Sequence, residues 1–207
     1  MNPASADATG LFLEDLRHQA DRFGVAEEQV RRDHVISHML AAISARCGDD
    51  VIFFGGTALS RTHLAHARLS EDLDLIATAP RSEVIRRVVR ALDHAIMRTH
   101  GRPAWNPPFT NRDVESAVLS AAGVSVRVQV LDGRFYSKWP VEQVSVEQRY
   151  RDVPPATLIV PTLASFAGWK TAAWHDRAAP RDLDRVWGRH RRHPSWLEAA
   201  SHRLALV

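Results

Sequence analysis

Cysteine is almost missing from this chain: Cys47 is the only one among 207 residues. No intrachain disulfide can form and no thiolate cluster can hold zinc, which suits a reducing compartment. Long hydrophobic runs are missing too, so no stretch reaches the length needed to cross a bilayer. The opening MNPASADATG is polar and small, without the basic start and apolar run of a secretory signal. A cytoplasmic protein without membrane association is expected. Internal repeats and low-complexity linkers are also lacking. With 45% hydrophobic residues, the chain can bury a proper core. A single domain over 1–207 is expected, with N-terminal helices in 1–48, a sheet-containing core in 49–160 and C-terminal helices in 161–207.

Charge is nearly balanced at +3, but the isoelectric point near 9.6 reflects an arginine excess. The basic residues cluster in Arg86 to Arg90 and in Arg185 to Arg203. Such clusters favour an anionic partner, and equally serve as solvated helix faces.

Leu11, Leu13, Leu16 and Phe23 recur at helical spacing, and a second periodic run spans 27–46, so two N-terminal helices are predicted. Val51 to Phe54 is a short apolar strand running into Gly55-Gly56, with a helix from Thr57 to Leu64. Leu73, Leu75 and Ile76 alternate with Asp72 and Asp74, predicting a second strand with both carboxylates on one side. Ser82 stands where an N-cap would precede an amphipathic helix ending near Gly101. After a Pro/Asn-rich turn, Val124, Val126, Val128 and Val130 alternate with Ser125, Arg127 and Gln129, the clearest strand pattern in the chain. Further strands are expected at 114–119, 144–149 and 157–160, then a helix from Pro161-Thr162 through Trp174. Later helices are expected from Pro180 and near Pro194. The fold class that emerges is α+β, a small mixed sheet flanked by helices.

The chemistry centres on Asp72-Leu73-Asp74-Leu75. Carboxylates two apart on a strand point into one cleft while the leucines anchor the strand, and hard divalent cations such as Mg²⁺ or Mn²⁺ take such oxygen ligands. Two metals held this way clamp the attacking and leaving oxygens of a phosphoryl transfer. Upstream, Gly55-Gly56-Thr57 lies between a strand and a helix, where backbone N–H groups can cradle phosphate oxygens. His63 and His66 have H-x-x-H spacing, but nothing is placed to complete a zinc site with them. The tryptophans, among them Trp139, Trp169, Trp174, Trp187 and Trp196, read as core residues rather than base-stacking platforms.

The segment FFGGTALSRTHLAHARLSEDLDLIA resembles the signature of the AbiEii/AbiGii nucleotidyltransferase toxins, MenT-like members of the DNA polymerase beta superfamily. That family pairs a GG(T/S)-x-L-x-(R/K) segment with SEDLD. The resemblance implies that Gly55, Gly56, Thr57 and Arg61 bind nucleotide and that Asp72 and Asp74 are catalytic metal ligands. It also implies that Ser70 is open to inhibitory phosphorylation, while by itself this serine reads equally as a turn or capping residue. The family's lysine followed seven residues later by arginine is met by Lys170 and Arg177. Seven residues is almost two helical turns, so both cations project from one face, and Lys170 would act in catalysis and nucleotide binding. Arg181-Asp182-Leu183-Asp184 is similar to the family ending RDL(F/Y)D. Asp182 matches its first aspartate; the second falls on Arg185, with Asp184 displaced by one.

One departure stands out. Superfamily enzymes usually carry a third carboxylate on the neighbouring strand, but VSVRVQVLDG puts Arg127 and Gln129 there, so either Asp132 substitutes or two carboxylates suffice. The resemblance covers roughly residues 35 to 190 and implies a toxin that moves nucleotides from an NTP to RNA. MenT-like members add pyrimidine nucleotides to the 3′ end of tRNA, blocking aminoacylation and translation, and work against a cognate antitoxin protein. Two other readings keep some of these residues: an adenylyltransferase for a protein or small molecule, and a non-catalytic nucleotide- or RNA-binding protein.

Overall fold

The computed structural model describes residues 6–65, 67–135 and 139–177. The expected helices from Pro180 and Pro194, and the basic cluster of Arg185 to Arg203, lie outside these residues, as do His66, Trp187 and Trp196. Two compact units divide the chain, Met1–Lys138 with Gln143–Val160 and Trp139–Glu142 with Pro161–Val207.

In the first unit, α1 (Leu13–Phe23) and α2 (Glu27–Cys47) follow the predicted periodicity to within a residue or two. Leu16 of α1 is buried with Leu11, Val30, Ala41, Tyr150 and Val153, a small apolar cluster that ties α1 to α2. From Asp33 to Ile43 every residue of α2 is buried, because α2 lies against both α4 (Arg81–Thr99) and strand β5 (Val124–Asp132). A helix covered on both sides is apolar all round, and its few polar residues must find partners inside.

Seven strands form one mixed sheet in the order β3-β4-β5-β2-β1-β7-β6. They are β1 (Val51–Phe54), β2 (Asp72–Ala77), β3 (Ala104–Asn106), β4 (Ser116–Ala121), β5, β6 (Val141–Val146) and β7 (Ala156–Pro161). A mixed sheet flanked by helices is the expected fold class. The strand bearing Asp72 and Asp74 is the middle one. It pairs antiparallel with β1 and parallel with β5. The alternation read in β5 is real: Val126, Val128 and Val130 are buried while Ser125 and Arg127 are exposed.

Differences from the sequence reading have local causes. The helix expected from Thr57 begins at Gly55, so the glycine turn is absorbed into α3 (Gly55–Arg61). Helix α4 is capped by Pro80 instead of Ser82; the Arg81 guanidinium donates to the carbonyls of Val114 and Val130, fixing the first turn two residues early. The Pro/Asn-rich segment contributes β3, held because Trp105 donates its indole N–H to Asp93 of α4 and stacks on Phe109. The strand expected at 144–149 lies at Val141–Val146, since Glu147 to Tyr150 is drawn instead into a buried polar network.

In the second unit, α5 (Leu163–Arg177) starts beside Pro161 as the sequence suggests. The Ser165 hydroxyl donates to the Pro140 carbonyl, and Trp139 stacks on Trp169 with centroids 5.6 Å apart.

Candidate active site

Strand pairing sets the site. Leu73 and Leu75 are fully buried, so period-two alternation turns Asp72 and Asp74 together to the other face, where both remain partly accessible. On β1, Phe54 stands opposite Asp74. The next residue, Gly55, therefore turns across the Asp74 side chain. Its φ is +81°, and a Cβ built there would lie 2.2 Å from Asp74 Oδ2. Only glycine meets both conditions. Gly56 follows in the first turn of α3, which has no side-chain cap. Thr57 is buried and donates its hydroxyl to the Asp72 carbonyl, locking α3 to β2. Ser70 is half-buried, two residues before Asp72.

On β5 the register places Arg127 beside Asp72 and Gln129 beside Asp74. Where the superfamily's third carboxylate was sought, a cation and an amide stand. Arg127 grips Asp72 through two bonds, Nε to Oδ1 at 3.2 Å and Nη2 to Oδ2 at 2.8 Å. The paired carboxylate raises the guanidinium pKa further above its ordinary value. Both partners are about half exposed, so the pair itself adds little stability, on the order of 0–1 kcal/mol. Asp132 ends β5 beside Ala77, at the far end of β2 from Asp72, and is held by Arg134 at 2.7 Å. It is not brought to the carboxylate pair.

Arg61 was expected at the nucleotide, but its guanidinium is wholly buried and committed to the interior. It contacts Asp33 Oδ1 at 2.8 Å and donates to the Asp33 carbonyl, Ser37 Oγ and the Glu147 carbonyl. Burial lowers its pKa and Asp33 opposes that shift. Arg149, also buried, reaches the same Asp33 oxygen at 3.0 Å and the Ser60 carbonyl, while the Tyr150 hydroxyl donates to Asp33 Oδ2. Asp33 and Arg149 escaped the sequence reading. An aspartate inside an otherwise buried helix run was the available signal, since a buried charge needs a partner.

Lys170 lies on α5 in the second unit, half-buried, with Arg177 seven residues on along the same helix. It is one of two lysines in the chain, Lys138 being the other. Asp182 and Asp184 lie outside the described residues. Among the described residues no helix is long and apolar enough to cross a membrane.

A glycine-started helix beside two same-face carboxylates on a middle strand has the parts of a phosphoryl-transfer cleft. The family described as "Nucleotidyl transferase AbiEii toxin, Type IV TA system" matches residues 38–183. The chain belongs to this AbiEii nucleotidyltransferase toxin family, and membership implies an NTP substrate and an antitoxin partner. No curated protein sequence matches it.

Proposed function

We propose that the chain is a metal-dependent nucleotidyltransferase that adds nucleotides, pyrimidines by the family resemblance, from an NTP to the 3′ end of tRNA. Translation stops as a consequence, and a cognate antitoxin restrains the protein in the cytoplasm. One observation carries the catalytic reading: Asp72 and Asp74 share a face of β2, directly against a glycine that no other residue could replace.

The donor set fits Mg²⁺ or Mn²⁺, which take carboxylate oxygens. Asp72 and Asp74 would hold the metal, which when bound polarises the phosphoryl oxygens and offsets charge on the leaving pyrophosphate. The remaining work falls to the chain. Gly55, Gly56 and the Thr57 backbone leave room for phosphates to approach the carboxylates. Lys170 and Arg177 supply cationic charge to the triphosphate, with Asp182 orienting Lys170. Arg127, which pairs with both oxygens of Asp72, must yield to the metal there. Arg61, held by Asp33, serves the nucleotide site by fixing α3 instead of touching the ligand. The acceptor's 3′ hydroxyl loses its proton to solvent and forms a bond to the α-phosphorus as the bond to pyrophosphate breaks. Exposed Arg86 and Arg90 on α4 supply positive charge for RNA phosphates. Phosphorylation of Ser70 would place a dianion two residues from Asp72 and repel the triphosphate.

Incubation with total tRNA, Mg²⁺ and each labelled NTP in turn, beside Asp72→Ala and Lys170→Ala, tests this directly. Label entering tRNA with the parent alone identifies the acceptor and the nucleotide. Pyrophosphate release without tRNA labelling moves the acceptor to a protein or small molecule. No pyrophosphate release under any condition leaves only a binding protein, and activity in either variant breaks the site assignment.

A further inference from the structure

Helix α2 carries His34 and His38, four residues apart and so on one face. Both are buried, and they meet Asp152, which follows the Arg149–Tyr150 segment of the polar network. His34 Nε2 lies 2.9 Å from Asp152 Oδ2, His38 Nε2 lies 3.1 Å from the same oxygen, and the two Nε2 atoms are 3.3 Å apart. Three donor atoms from two distant stretches of sequence thus face one point. The edges of that triangle are those of a coordination polyhedron: a tetrahedron with metal–ligand bonds of about 2.0 Å has edges of about 3.3 Å. An ion bonded to all three at that length sits about 1 Å above their plane.

Asp152 Oδ1 is buried and has no hydrogen-bond partner. A buried carboxylate oxygen without a partner is costly, and a cation beside Asp152 would offset that cost. The imidazole orientation is also braced. His34 Nδ1 lies 3.2 Å from His100 Nε2, His100 Nδ1 lies 2.7 Å from Thr99 Oγ1, and that hydroxyl donates to the Ala95 carbonyl, so a metal-binding tautomer of His34 would have its Nδ1–H engaged by His100. Zinc-binding histidines are held this way, with the distal N–H engaged so that the lone pair faces the metal.

We propose that His34, His38 and Asp152 bind one structural zinc ion, with a water as the fourth donor and His100 bracing His34. Two imidazoles and a carboxylate suit zinc and not Mg²⁺, which takes oxygen ligands alone. Both imidazoles are buried and Asp152 is partly accessible, and the ion would staple the two stretches of chain that carry them. It joins α2 to the 149–153 segment across 114 to 118 residues of chain, beside the Asp33–Arg61 pair that fixes α3. The inference does not rest on the nucleotidyltransferase reading.

The test uses full-length protein without an affinity tag, purified free of chelator, and elemental analysis. About one zinc per chain is expected, retained when Asp72 and Asp74 are both changed to Asn and lost in His38→Gln or Asp152→Asn. His100→Ala should weaken zinc binding about 10- to 100-fold. Because a ligand variant can fail to fold, the parent is also stripped and titrated: Zn²⁺ should raise its thermal midpoint, and Co²⁺ should give the intense visible bands of a tetrahedral N/O site. Three results overturn the proposal: a stripped parent that takes up no zinc, a thermal midpoint indifferent to zinc, or zinc that leaves with the Asp72 and Asp74 substitutions.

Discussion

Replacing Gly55 by alanine puts two separable penalties on one position. The backbone there has φ +81°, a conformation that costs an alanine about 1–2 kcal/mol. The added Cβ would also stand 2.2 Å from Asp74 Oδ2 and 3.0 Å from its Cβ and Cγ, so the carboxylate must swing away. Overpacking of this kind costs about 1–3 kcal/mol more. Together they predict a loss of about 2–5 kcal/mol, or a drop of roughly 4–20 °C in thermal midpoint at 2–4 °C per kcal/mol for a chain of this size. Moving the carboxylate proposed to hold the metal by about 1 Å should cut transfer about 100-fold even in the fraction that stays folded. Gly101 supplies the control: its φ is +77°, but nothing lies within 4 Å of a Cβ built there. Gly101→Ala should therefore lose about 1–2 kcal/mol and keep its activity. The readouts are thermal denaturation and labelled-NTP transfer, each on both variants. If Gly55→Ala matches Gly101→Ala in both, the contact with Asp74 has no consequence and the reasoning fails.

Asp33→Asn should destabilise the fold by about 3–5 kcal/mol in urea denaturation, because it leaves Arg61 and Arg149 charged and buried without their counter-ion; a loss under 1 kcal/mol would contradict the network's role. Arg127→Ala should hardly alter stability but should lower the Mg²⁺ concentration for half-maximal transfer severalfold, since the guanidinium and the metal compete for Asp72. An unchanged or higher Mg²⁺ requirement would show that Arg127 does not compete. Cys47 is buried and its thiol is pushed up to about 11, chiefly by desolvation. At pH 8 it should react with a thiol reagent in urea and resist the same reagent in the native protein; rapid native labelling would place it nearer the surface.

Much of the site could be read from the sequence because its parts are local. Two aspartates separated by one leucine share a face on any strand, and a Gly-Gly pair between an apolar run and a helical one marks a strand-to-helix junction whatever surrounds it. Periodicity alone likewise found α1, α2, α4 and β5. Pairing across distance was beyond its reach. That Asp72 and Asp74 occupy the middle strand, that Gly55 is pressed against Asp74, and that Arg127 faces Asp72 are consequences of the β1–β2 and β2–β5 registers. Arg61 shows the limit most plainly. Its place in the family signature suggested a ligand contact, but at the end of α3 its side chain enters the interior, where it shares Asp33 of α2 with Arg149 and Tyr150. His34, His38, His100 and Asp152 likewise look scattered along the chain, and only the packing of α2 against α4 and the 149–153 segment makes them neighbours. Short-range spacing is written in the covalent chain; which buried charges and imidazoles meet depends on long-range packing, because only there does losing water force each to find a partner.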